Sequence, residues 1–145
     1  MTRSLSFEVR GIPAPQGSKR HVGRGILIES SKKVKPWRED VRAAALNAMG
    51  DAWTPLAGAV EVWVTFYLPA PKSLPKRINA PTKRPDLDKL ARSTMDALTS
   101  AGVYLDDSKV TDLHVLKRYV GRNVMNVNAP GAAIDVEGLA EEDVR

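Results

Sequence analysis

Residues 69–85 hold five prolines and five Lys or Arg residues. Proline lacks a backbone N–H and fixes φ, so this segment can be neither regular helix nor central strand. Any fold of this chain must carry it as an exposed basic loop. Before it, residues 59–68 (AVEVWVTFYL) alternate, with Val60, Val62, Val64 and Phe66 on one face and Glu61, Trp63, Thr65 and Tyr67 on the other. Apolar groups on both faces predict a central strand, or an outer face covered by a partner. After it, Leu87, Leu90, Ala91, Thr94 and Leu98 recur at helical spacing over residues 87–100. Asp86 suits the N-cap of that helix and Gly102 its terminator. The other reading of the loop, a linker between two domains, fails because neither half looks large enough to bury a good core.

Residues 4–10 (SLSFEVR) read as a half-buried strand and residues 25–29 (GILIE) as a short one. Between them, residues 11–21 form a Gly- and Pro-rich loop ending in Lys19 and Arg20. Residues 35–49 predict a helix that buries Trp37, Val41, Ala44, Ala45 and Ala48, turns Arg38 and Arg42 elsewhere, and closes at Gly50. Residues 103–105 are extended and residues 106–110 form a turn. Residues 111–120 predict a strand with Leu113, Val115 and Lys117 on one face and His114, Leu116 and Arg118 on the other. Residues 123–128 and 132–136 are expected to add edge strands. The order predicts an α+β fold: a single two-layer domain over residues 1–137, a mixed β-sheet with two helices packed on it. Residues 138–145 are expected to be an acidic, frayed tail.

The absence of cysteine excludes disulfides, Cys-ligated zinc and a thiol nucleophile. Neither a signal peptide nor a membrane span is expected, because the N-terminus lacks an apolar core and no apolar run approaches about 20 residues. A cytoplasmic location is expected. There is no P-loop, Ser/His/Asp motif or H-E-x-x-H. His21 and His114 read as surface or partly buried histidines. Net charge is +5, with bases gathered in residues 16–42 and 72–92. Such a body suits a polyanion, most often nucleic acid, although a merely solvated surface has the same charge.

Within this basic chain lie two acidic pairs, Asp86 with Asp88 and Asp106 with Asp107. Asp86 and Asp88 can converge only if Asp86 sits just outside the helix, since two helical residues are about 200° apart. Ordinary capping explains the first pair and leaves the second unexplained. Reaching the helix again requires residues 103–105 to run back beside it, setting the acidic turn near mid-helix or beyond. Carboxylate-only sites suit hard cations such as Mg²⁺ or Mn²⁺, which serve phosphoryl chemistry. Arg92, at i+4 from Asp88, and Lys117 are candidates to neutralise charge on a reacting phosphate. Surface ion pairing of Asp88 with Arg92 is the plain alternative. Asp96, a turn further on, is expected to play a supporting role.

The run PDLDKLAR, then Asp96-Ala97-Leu98, then Asp106-Asp107, then Lys117 resembles the RusA family of Holliday junction resolvases. The resemblance implies a Mg²⁺-dependent endonuclease, with Mn²⁺ as a substitute, acting on branched DNA as a homodimer without a membrane. It would nick opposed strands of a four-way junction. It implies Asp86, Asp88 and Asp107 as the essential acidic residues, and these three with Asp106, their less critical neighbour, as the metal ligands. Lys19, Arg20, Arg24, Lys83, Arg84 and Lys89 are expected to follow the DNA backbone. Lys89 replaces the family's usual Asn and Arg92 its usual Lys. Arginine is a poor proton donor, so Arg92 is expected to stabilise phosphate charge. A junction-binding protein with little or no cleavage is the alternative.

Overall fold

The computed structural model describes residues 2–17, 19–21, 27–29, 32–122 and 126–139. They form β1 (Ser4–Arg10), β2 (Lys19–His21), β3 (Leu27–Glu29), α1 (Val34–Met49), β4 (Val60–Leu68), α2 (Leu87–Ala101), a 3₁₀ turn (Asp107–Lys109), β5 (Val110–Tyr119) and β6 (Gly131–Gly138). Four strands make a mixed sheet in the order β1-β6-β4-β5, and β2 pairs with β3 in a separate hairpin. The expected α+β domain, with a mixed sheet and two helices, is the one observed.

β4 is central, as its two apolar faces predict: it runs parallel to β5 and antiparallel to β6. Val60, Val62, Val64, Phe66 and Leu68 are buried, while Trp63 on the opposite face is 44% exposed. β6 departs from expectation. It lies between β1 and β4, in the interior of the sheet and not at an edge. Its Ala132, Ile134 and Val136 are buried, and a Cβ at Gly131 would stand 1.9 Å from the Val9 carbonyl oxygen. Only glycine permits that approach. Of the other expected edge strand, residues 126–128 form no strand, and residues 123–125 lie outside the described residues.

The helices bury the stripes their spacing predicts, with two adjustments. In α1, Ala48 is exposed and the stripe instead runs through Val34, Trp37, Val41 and Ala45 to a half-buried Met49. In α2, Ser93 and Thr94 are buried polar residues. Trp37 Nε1 donates to Thr94 Oγ1 at 3.1 Å, and its ring lies tilted against Phe66 at 6.4 Å. One indole therefore ties α1 to α2 and both to β4. Gly102, left-handed at φ 86°, ends α2. Gly138 and Leu139 are hydrogen-bonded to Arg3 and Ala59; the rest of the expected tail lies outside the described residues.

The parallel β4–β5 pair fixes the site. Parallel neighbours need a crossover, and here it consists of the proline-rich loop and α2. The first turn of α2 therefore lies beside the end of β5, and its last turn beside the start of β5. No described helix is long and apolar enough to cross a membrane.

Candidate active site

Asp86 occupies the N-cap position of α2, with extended backbone (φ −71°, ψ 137°), yet its side chain makes no capping hydrogen bond. Capping therefore does not account for its carboxylate. Lys89 Nζ approaches it at 4.0 Å, with both groups about half exposed, an arrangement worth little in water. Asp88 is exposed in the first turn. Among the described residues it has no ion-pair partner, so the expected alternative of an Asp88–Arg92 pair does not form. Arg92 is exposed and likewise unpaired among them.

The second acidic pair meets α2 past its middle. Asp106 caps the 3₁₀ turn, its carboxylate accepting from the Ser108 N–H at 2.9 Å. Hydrogen bonding from Ser108, its side chain first and this N–H second, holds Asp106 below the ordinary carboxylate pKa. Asp107, now fixed, accepts a hydrogen bond from Thr99 Oγ1 and faces Asp96. Burial first, and the Asp107 charge second, raise the Asp96 pKa, while Arg38 and Arg92 oppose the rise. Two carboxylates thus face each other with incomplete compensation.

Asp88, Arg92 and Asp107 line one open concavity of about 550 Å³, with Leu87, Ala91 and Met95 of α2 and Leu113 and Val115 of β5. Asp86 stands at its end, outside the lining. Asp88 and Asp96 are two helical turns apart, roughly 12 Å along the axis. The aspartates therefore form two stations on one face of α2, with Arg92 between them. Among the described residues, the one trio with ligand atoms all within 4.8 Å of each other is Glu61, Asp112 and His114. It lies on the outer face of the sheet, where strand register sets Glu61 beside Asp112 and Trp63 beside His114. Asp86, Asp88 and Asp107 are not drawn to that distance. Their chemistry nonetheless fits a hard cation: all donors are oxygens, Asp86 and Asp88 accept no side-chain hydrogen bond among the described residues, and Arg38 and Arg92 only partly offset the charge of the Asp96–Asp107 pair.

A family model described as endodeoxyribonuclease RusA matches residues 9–129. The chain belongs to the RusA family. It is 33% identical over 108 residues to the crossover junction endodeoxyribonuclease RusA of Escherichia coli (strain K12), covering 73% of this chain and 78% of the relative. It is 32% identical over 127 residues to the uncharacterized protein YqaN of Bacillus subtilis (strain 168), covering 79% and 87% respectively. A stretch of 35 residues is 51% identical to the crossover junction endodeoxyribonuclease rusA of Enterobacteria phage 82, covering 24% of this chain and 29% of that protein.

In this RusA-family chain the remaining expected residues are placed as follows. Lys83 and Arg84 are exposed just before α2. Lys19 and Arg20 lie on β2; Arg24 is outside the described residues. Lys117 Nζ donates to the carbonyl oxygens of Lys83 and Pro85, each at 2.9 Å, so its ammonium holds the chain that delivers Asp86. Sequence reasoning missed Thr99 and Arg38. It also missed how the N-terminal loop docks on α2: Gln16 N–H donates to Lys89 O at 2.9 Å and Ser93 Oγ to Ala14 O at 2.7 Å. Arg38 donates to the Gln16 side chain. These contacts cross between elements distant in sequence, where periodicity carries no signal; Thr99 alone was reachable, one turn beyond Asp96 on the same helix.

Proposed function

We propose that this chain is a magnesium-dependent, structure-selective DNA endonuclease that resolves four-way junctions by paired nicks on opposed strands. The observation that carries the reading is the shared concavity of Asp88, Arg92 and Asp107 in a RusA-family chain. Asp86, Asp88 and Asp107 would hold the metal, with Asp96 beside Asp107 and Asp106 supporting Asp107 by fixing its turn. Bound Mg²⁺, or Mn²⁺ in its place, supplies Lewis-acid charge against the phosphoryl oxygens.

Arg92, unpaired between the two stations, neutralises charge that builds on the phosphorus. Arginine is a poor proton donor, so Arg92 serves by charge alone. Lys117 contributes by orienting the segment that carries Asp86. Lys19, Arg20, Arg24, Lys83, Arg84 and Lys89 bear on backbone phosphates, which position the DNA without reading its sequence. A homodimer, joined through the sheet face that carries Trp63 and Tyr67, presents two such sites to opposed strands. The working compartment is the cytoplasm.

The test is to incubate labelled four-way junction with the protein and Mg²⁺ and map the nicks on each strand. Symmetric nicks on two opposed strands are expected. One observation favours a second reading, a junction binder without turnover: Arg92 stands where the family pattern has Lys. Tight binding with no nicks in Mg²⁺ or Mn²⁺ would establish it.

A further inference from the structure

The proline-rich loop should be loose, because its prolines supply no N–H groups to a ladder. Its described internal backbone bonds are short-range: Leu74 N to Pro71 O and Ile78 N to Pro75 O, both 3.0 Å, and Thr82 N to Ala80 O at 3.1 Å. A third element organises it. Arg122, in the turn after β5, donates from Nη1 to Pro75 O and Ile78 O at 2.8 Å each, and from Nη2 to Leu74 O at 3.1 Å. One planar fork thus collects three carbonyls from successive turns. At the far end of the loop, Lys117 collects those of Lys83 and Pro85.

With these carbonyls tied to the body, the cationic side chains face outward. Lys72, Lys76, Arg77, Lys83 and Arg84 are exposed, and none forms an ion pair among the described residues. We propose that Arg122 is a positioning residue that holds this loop as a preformed phosphate-binding surface for the DNA arm entering the site. The proposal rests on the nucleic-acid reading above. Arg122 acts through the backbone and not on phosphate, since its guanidinium is engaged by carbonyls and half-buried. A preformed surface needs less ordering on binding, and the benefit appears as affinity.

The two roles an arginine could play here separate by salt dependence. Binding of a fluorescent four-way junction is measured in EDTA, so that nothing is cut, across 50–200 mM salt. Arg122→Gln should weaken binding about 3–10-fold at every salt concentration, leaving the slope of log K against log salt unchanged. Lys76→Ala or Arg77→Ala should make that slope shallower by about 0.9 each, as lost phosphate contacts do. Arg122→Lys keeps the charge but cannot span three carbonyls, so its affinity should also fall. In parallel, limited trypsin digestion without DNA should cut after Lys76 and Arg77 faster in both Arg122 variants than in wild type. A shallower slope for Arg122→Gln, wild-type affinity for Arg122→Lys, or unchanged digestion in both variants overturns the proposal. If wild type binds no branched DNA, the nuclease reading fails, and the trypsin comparison still decides whether Arg122 organises the loop.

Discussion

Thr99→Val removes one hydroxyl and little else. Thr and Val have similar helix propensities and nearly the same shape, so α2 itself is undisturbed. The Thr99 hydroxyl stands against Asp107 Oδ1 and 3.1 Å from the Met95 carbonyl. It has a single proton, and the charged carboxylate is the stronger acceptor. A hydrogen bond to a charged group is worth about 1.5–3 kcal/mol. Both residues are half-buried, so water recovers part of that and the expected net loss is about 1–2 kcal/mol. Urea unfolding of wild type, Thr99→Val, Asp107→Ala and the double variant, in EDTA, closes a double-mutant cycle. The expected coupling is about 1–2 kcal/mol. With its tether gone, Asp107 should also need roughly tenfold more Mg²⁺ for half-maximal nicking, as about 1.4 kcal/mol implies. A coupling below about 0.3 kcal/mol would mean that Thr99 and Asp107 are not partners, and the placement of the acidic turn on α2 would be wrong.

Leu90 is 0% exposed beneath the site, so Leu90→Ala should lower the urea-unfolding free energy by about 2–5 kcal/mol. Arg92→Ala should slow nicking about 10²–10³-fold, whereas Arg92→Lys, which keeps the charge, should retain most of the rate; equal rates for Arg92→Ala and wild type would remove Arg92 from the chemistry. Asp96 has its pKa raised above 3.8 by burial and by Asp107, so the native state holds a proton that the unfolded chain releases. Its contribution therefore falls as pH rises from the ordinary value through the raised one, and stays lost above it. Asp96→Asn in metal-free buffer should accordingly raise the thermal midpoint at neutral pH and gain nothing at the acid end; parallel midpoint curves for the two proteins would contradict the sign.

Much of this fold was legible because local pattern and tertiary environment agree. The alternation of residues 59–68 and the apolar stripe of α2 named their buried faces directly, and the prolines fixed the loop between them. β6 was misplaced because Gly131, Ala132 and Ala133 carry little hydrophobic signal, while what makes the strand interior is a close backbone approach to Val9. The site was half legible. Composition and spacing singled out the two acidic pairs with Arg92 and Lys117, the family resemblance favoured Asp86, Asp88 and Asp107, and the crossover put Asp88, Arg92 and Asp107 on one concavity. Spacing set the acidic turn near mid-helix or beyond, but pattern could not name Asp96 and Thr99 as the neighbours of Asp107. Lys117 read as a cation for the reacting phosphate and Arg122 drew no reading; only the folded chain reveals that both are taken up by backbone carbonyls. Glu61, Asp112 and His114 meet through the register of two parallel strands, which neither strand encodes alone.

The central claim is that the aspartates on the open face of α2 cut DNA. It is tested most directly by comparing wild type with Asp107→Asn on a labelled four-way junction in Mg²⁺, with binding measured beside cleavage. The account predicts paired nicks from wild type. From Asp107→Asn it predicts near-wild-type junction binding with nicking reduced at least about 100-fold, the scale of losing a main electrostatic element of catalysis. Equal nicking by the two proteins would contradict it.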